Sequence, residues 1–149
     1  MKSDRRAPDL SDDEYANLAQ TRVLLRRYQA FSERAAAAAG LEARHYLVLL
    51  MLRGLTLDAE ASVSDFADWL QVRHHSAVGL IDRMEARGLV RRAIDPRDGR
   101  RVRVSMTREG RAALRGLALR HRDELRTIAP GLRETLRRVV DAQAALSEG

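Results

Sequence analysis

Apolar positions along this chain follow two periods, one helical and one extended, and the switches between them mark its elements. From Ser11 to Ala39, Leu18, Leu24, Leu25, Tyr28, Phe31 and Ala35 recur at helical intervals. Ser11 stands three residues before Glu14, the spacing at which each side chain can satisfy a free amide at the helix start, and Gly40 supplies a stop. A second helix is expected from about Glu42 to Leu55. Its Tyr46, Leu47, Leu49 and Leu50, with Leu57 beyond, are too apolar for a surface element and suggest the spine of a domain. Residues 54–61 are weakly patterned and have room for a short strand. Ser62 and Asp65 form another capping pair, opening a helix whose inward face is Phe66, Ala67, Trp69 and Leu70. Val72 falls in a turn. The next helix runs from Arg73 or His74 to Arg87, with Ala77, Leu80, Ile81 and Met84 as its buried stripe and Gly88 as its end.

Over residues 89–107 the period drops to two. A run of alternating apolar and basic residues turns at Asp95-Pro96-Arg97-Asp98-Gly99 and returns, which predicts a hairpin. Val90, Ala93 or Ile94, Val102, Val104 and Met106 are expected to face the core, and Arg92, Arg101, Arg103 and Ser105 to face water. Thr107 then caps a helix carrying Leu114, Leu117, Ala118, His121, Leu125 and Ile128. Pro130-Gly131 should interrupt it before a last helix with Leu132, Leu136, Val139, Val140 and Leu146. A capped helix, a tight turn, a helix with a polar first turn and then a basic hairpin have the layout of a winged helix-turn-helix, whose second helix enters the major groove. The fold class expected is therefore mainly α, with a β-hairpin wing and long terminal helices. The divisions are a flexible N-terminus over 1–10, an N-terminal dimerisation helix over 11–40, a DNA-binding domain over 41–106 and C-terminal dimerisation helices over 107–149. The terminal helices carry more apolar surface than the reading domain can cover, so a second copy of the chain is the expected partner.

Charge supports the same placement. The chain carries a formal net charge of +6, and residues 73–103 hold nine arginines against Asp82, Glu85, Asp95 and Asp98. A phosphate backbone is the natural counterpart of that excess. For base or phosphate contact the recognition-helix candidates are Arg73, His74, His75, Ser76, Val78, Gly79 and Arg83, and the wing candidates are Arg97, Arg100 and Arg101. Asp95 and Arg97 could equally pair with each other to brace the wing. His74-His75 is a poor metal site, because neighbours on a helix diverge and no cysteine stands near, so no metal or cofactor is expected.

The run Leu70–Arg92 (LQVRHHSAVGLIDRMEARGLVRR), the turn DPRDGRRVRVSMT and the TREG at Thr107–Gly110 together resemble the MarR family of bacterial transcriptional regulators, over nearly the whole chain. One departure is Gln71, where the turn often has glycine, and Gly79 stands where many members have a longer polar side chain. The resemblance implies a homodimer on a pseudo-palindromic duplex, most often a repressor released by a small aromatic or phenolic ligand held between the dimerisation helices and the reading domain. Arg27, Tyr28, His45, Tyr46 and Arg53 lie on helices that would border such a cleft.

Composition narrows the alternatives. The 149 residues are 45% hydrophobic and 4% aromatic, enough for one helical domain. The absence of cysteine rules out disulfides and thiol-based oxidant sensing. No apolar run reaches bilayer length and residues 1–16 lack the apolar core of a secretory signal, so a cytoplasmic protein without a membrane partner is expected. No phosphate loop, nucleophile elbow or zinc-protease motif argues for an enzyme. Two other readings remain: a winged-helix protein-interaction module that does not read DNA, and a DNA-binding regulator that needs no ligand.

Overall fold

The computed structural model describes residues 9–56 and 60–147, with side chains as far as Ala142. Residues 1–8 of the expected flexible N-terminus, Leu57, and the side chain of Leu146 lie outside the described residues. The elements, in order, are α1 (Asp12–Ala38), α2 (Ala43–Leu55), β1 (Ala61–Ser62), α3 (Val63–Leu70), α4 (His74–Ala86), β2 (Val90–Ile94), β3 (Val102–Met106) and α5 (Arg108–Ser147). The fold is mainly helical with a small antiparallel sheet ordered β1-β3-β2. The short strand expected within residues 54–61 forms at their end and runs one residue beyond, Ala61 pairing with Val104 and Ser62 with Arg103.

Local chemistry accounts for the ends of the elements. Ser11 donates its backbone N–H to Glu14 at 2.8 Å and accepts Glu14's N–H on its hydroxyl at 3.3 Å, which starts α1. Gly40, at φ 71°, follows its end. Thr107 starts α5 by accepting the Gly110 N–H at 3.0 Å while its hydroxyl donates to Gly88 O at 2.6 Å. A Cβ on Gly110 would stand 2.1 Å from Leu89 O, so only glycine lets α5 begin this close to the strand before the wing.

Contacts divide the chain into two units. Among the described residues the first comprises 9–31 and 123–147. In it Asn17 Nδ2 donates to Thr135 O at 2.8 Å, and Leu24 and Ile128 are buried. The break expected at Pro130 is not there, since α5 is one helix through it. Proline removes one N–H and crowds one carbonyl, which an otherwise strong helix can absorb.

The second unit is residues 32–122. Its core is Val48, Leu49 and Leu52 from α2, Phe66 from α3, Ala77, Leu80, Ile81 and Met84 from α4, Val90 and Val104 from the sheet, and Leu114 and Leu117 from α5. Each of the larger side chains contributes about 1.5–3 kcal/mol of burial. The α4 stripe is as the periodicity predicts. Leu47 and Leu50, expected inside, are over a third exposed on the far side of α2.

Candidate nucleic-acid interface

Helix α3 is fixed at both ends by side-chain and backbone chemistry. Ser62 N–H donates to Asp65 Oδ2 at 2.8 Å, and Asp65 N–H donates to Ser62 Oγ at 3.2 Å. At the other end Gln71 takes a left-handed backbone (φ 52°, ψ 47°), and Val72 N–H returns to Ala67 O at 3.0 Å. That reversal launches α4 after Arg73, whose carbonyl accepts from Ser76 and Ala77. No side chain caps α4. Its first-turn amides therefore face outward at the positive end of the helix dipole, where an anion is favoured.

With Ala77, Leu80, Ile81 and Met84 turned into the core, α4 exposes Arg73, His74, His75, Ser76 and Arg83, and half-exposes Val78 and Gly79. A Cβ on Gly79 would make only ordinary contact, 3.6 Å from Arg83 Nη1, so the space beside it is open.

The wing tip is built by carboxylates that catch backbone amides. Asp95 accepts Arg97 N–H at 2.9 Å, Asp98 accepts Arg100 N–H at 3.1 Å, and Asp95 N–H donates to Arg101 O at 2.8 Å. Asp95 is 4% exposed, and its other oxygen receives Arg103 Nε and Nη2, each at 2.8 Å. The Arg97 amide and the Arg103 guanidinium hold the Asp95 carboxyl below the usual carboxylate range. Arg103 is thus the side chain paired with Asp95, and the brace expected between Asp95 and Arg97 is instead a backbone bond. The side chains of Arg97, Arg100 and Arg101 are exposed and free of protein partners among the described residues. Between the wing and α4 lies a cleft of about 420 Å³ lined by Ser62, Ser64, His74, Val78, Arg100 and Arg101.

Several sheet positions differ from expectation. The register pairs Arg92 with Val104 and Ile94 with Val102, so Val90, Arg92 and Ile94 share the inner face. Arg92 is half-buried rather than water-facing, because Asp82 and Glu85 on α4 meet its charge. Ile94 and its partner Val102, both expected inside, are 69% and 37% exposed, since the inner face of the wing outruns the core, and Ala93, the alternative to Ile94, is exposed on the outer face. The internal pairs absorb Asp82, Glu85 and Asp95, which leaves Arg73, Arg83, Arg91, Arg97, Arg100 and Arg101 exposed across the α4 and wing surface. Parity with Val90 was the sequence signal that set Arg92 apart.

The residues expected to border a ligand cleft fall in different units. On α1, in the first unit, Arg27 is exposed, and burial with the nearby Glu124 charge raises the Tyr28 phenol above its ordinary value. In the second unit His45 and Tyr46 are buried and Arg53 is exposed on α2. Tyr46 stacks on His121 with ring centroids 3.9 Å apart, and His121 Nε2 lies 2.8 Å from Ser32 Oγ. His45 Nδ1 accepts the Glu42 N–H at 3.2 Å, so this ring caps α2. Among the described residues no group of three or more metal-ligating side chains is gathered, and no single helix is long and apolar enough to cross a membrane.

A capped helix, a tight left-handed turn, an uncapped exposed helix and a three-stranded sheet with an arginine-tipped hairpin define a winged helix-turn-helix protein. A model of the MarR family matches residues 39–101, from the end of α1 to the wing. The chain is 37% identical over 117 residues to the transcriptional activatory protein BadR of Rhodopseudomonas palustris, a match spanning 74% of this chain and 66% of that protein. It belongs to the MarR family of transcriptional regulators. Among solved structures, AbsC of Streptomyces coelicolor, a MarR family transcriptional regulator, shares the fold with a TM-score of 0.75 and 24% identity, over 95% of this chain and 97% of that one. A mutant of S. aureus MepR bound to an oligodeoxyribonucleotide does so with a TM-score of 0.62 and 18% identity, over 94% and 99%.

Proposed function

We propose that this regulator binds duplex DNA sequence-specifically as a homodimer, with α4 in the major groove and the wing arginines on the backbone or in the minor groove. One observation carries the reading. Three carboxylates are consumed by internal pairs while Arg97, Arg100 and Arg101 stay free beside the uncapped start of α4. A pure protein-interaction module has no need of that division. The DNA complex of the MepR relative supports it. Two-fold symmetry of the dimer would place two α4 helices on half-sites of a pseudo-palindrome about one turn apart. Control by a small aromatic or phenolic anion, releasing a repressor, extends the reading on the strength of family membership. BadR, described as activatory, favours a second sign of regulation, in which the bound dimer promotes transcription.

Selection of bound duplexes from a random library, followed by salt titration of the winner, tests the reading. A palindromic consensus is expected. Arg100→Ala should lower the salt slope by about one unit, whereas Ser76→Ala or His75→Ala should alter base preference by about 1–3 kcal/mol per lost contact. Repeating the titration with aromatic carboxylates tests release, and a promoter fusion gives the sign of regulation. A monomer that binds all sequences equally defeats the proposal.

A further inference from the structure

Arg92 stands on β2, yet most of its bonds are to α4. Its Nη1 pairs with Asp82 Oδ1 and lies 3.7 Å from Glu85 Oε2, its Nη2 donates to Val78 O at 3.2 Å, and its backbone N–H donates to Glu85 Oε1 at 2.9 Å. Val78, Asp82 and Glu85 follow one another at four and three residues, so a single side chain grips two turns of one α4 face. The side chain is 23% exposed, on the inner side of the sheet, and itself lines the cleft between α4 and the wing. Val78 is also a wall of that cleft.

We propose that Arg92 is a positioning residue, which sets the angle between α4 and the wing and thereby aligns base contacts with backbone contacts on one duplex. The inference rests on the DNA-reading role proposed above. A planar guanidinium can meet a carboxylate and a carbonyl together, and such a fork fixes orientation as well as distance. Because its charge is met by Asp82 and Glu85, Arg92 contributes little to phosphate neutralisation, unlike Arg100.

Asp82→Asn separates the two roles by sign. Asp82 is 55% exposed on a basic surface, so if it were only a nearby charge its removal would tighten binding to any duplex. If it holds Arg92 in place, its removal weakens the preferred duplex. Arg92→Gln, Asp82→Asn and the double variant of the full chain are to be titrated with the preferred and a scrambled duplex over a range of salt. Amide exchange of the DNA-free proteins is followed in parallel. Each single variant should reduce the ratio of the two affinities by about tenfold, with the double no worse and the salt slope unchanged. Exchange should quicken over residues 78–85 and 90–94, which reports the grip without DNA. A salt slope lowered by about one in Arg92→Gln, with tighter binding by Asp82→Asn, would make Arg92 a phosphate contact and overturn the proposal. Unchanged exchange and an unchanged ratio would overturn it as well. A parent that binds all duplexes equally overturns the underlying DNA-reading role, and that is read from the parent before any variant.

Discussion

Gln71 is the only non-glycine residue among those described with a positive φ, at the reversal between α3 and α4. An L side chain in that region costs about 1–2 kcal/mol, and Gln71 is exposed, so it recovers little by packing. Gln71→Gly relieves the strain but gives the unfolded chain more freedom, which offsets part of the gain. A net stabilisation of about 0.5–1 kcal/mol is expected in chemical denaturation. A loss of stability would show that the glutamine side chain makes a contact worth more than the strain. The arginines show the same dependence on surroundings. Arg92 and Arg100 have identical side chains, but one is spent against Asp82 and the other stands free at the wing tip.

At the level of elements, α2 is capped by a titratable ring. His45 Nδ1 accepts the Glu42 N–H, while the Glu42 side chain completes the reciprocal pair at the helix start. Neutral His45 must therefore carry its proton on Nε2, which is buried without a hydrogen-bond partner, 3.9 Å from Glu42 Oε1. Burial lowers the His45 pKa first; Glu42 opposes that shift, and Arg87 and Arg83 add to it. Protonation would put a hydrogen on Nδ1 and abolish the cap. With the folded value below the unfolded one, near 6.5, the unfolded state takes up the proton first as pH falls. The contribution is whole above about pH 6.5 and is lost on acidification toward the folded value. Unfolding midpoints should thus drop between about pH 7.5 and 5, and His45→Gln, which can still accept the amide, should flatten that part of the profile. An unchanged profile in His45→Gln would assign the slope to other groups.

On the scale of the whole molecule, the first unit exposes Leu18, Leu25, Leu136, Val139 and Val140. A groove of about 930 Å³ there is lined by Leu10, Ala16, Leu18 and Val139. Apolar surface gathered in this way is unusual for a monomer, and a second copy of the chain is the partner proposed for it. Val140 is 67% exposed, so Val140→Glu should cost the single chain little. In a dimer seam it would bury a charge. Analytical ultracentrifugation at micromolar concentration should show the variant shifted toward monomer, with binding to a palindrome falling to that of a half-site. Retention of the parental mass would place the dimer seam elsewhere.

From the start of α1 to the start of α5 the elements and their order were legible in the sequence by itself, because capping pairs, stop glycines and the change of period act within a few residues. The α4 stripe and the hairpin were legible too, and the TREG and wing motifs carried the family. The sequence predicted a break in α5 that is not there, since a proline's cost is local while the helix is held along its length. It also placed Arg92 in water, although parity with Val90 put it on the inner face, and it took Ile94 and Val102 for core residues where that face runs beyond the core. Which arginines are paired and which stay exposed depends on the tertiary structure, because an ion pair needs its carboxylate in reach through space. Asp82 is ten residues from Arg92 along the chain, and only the packing of α4 on the sheet brings the two together.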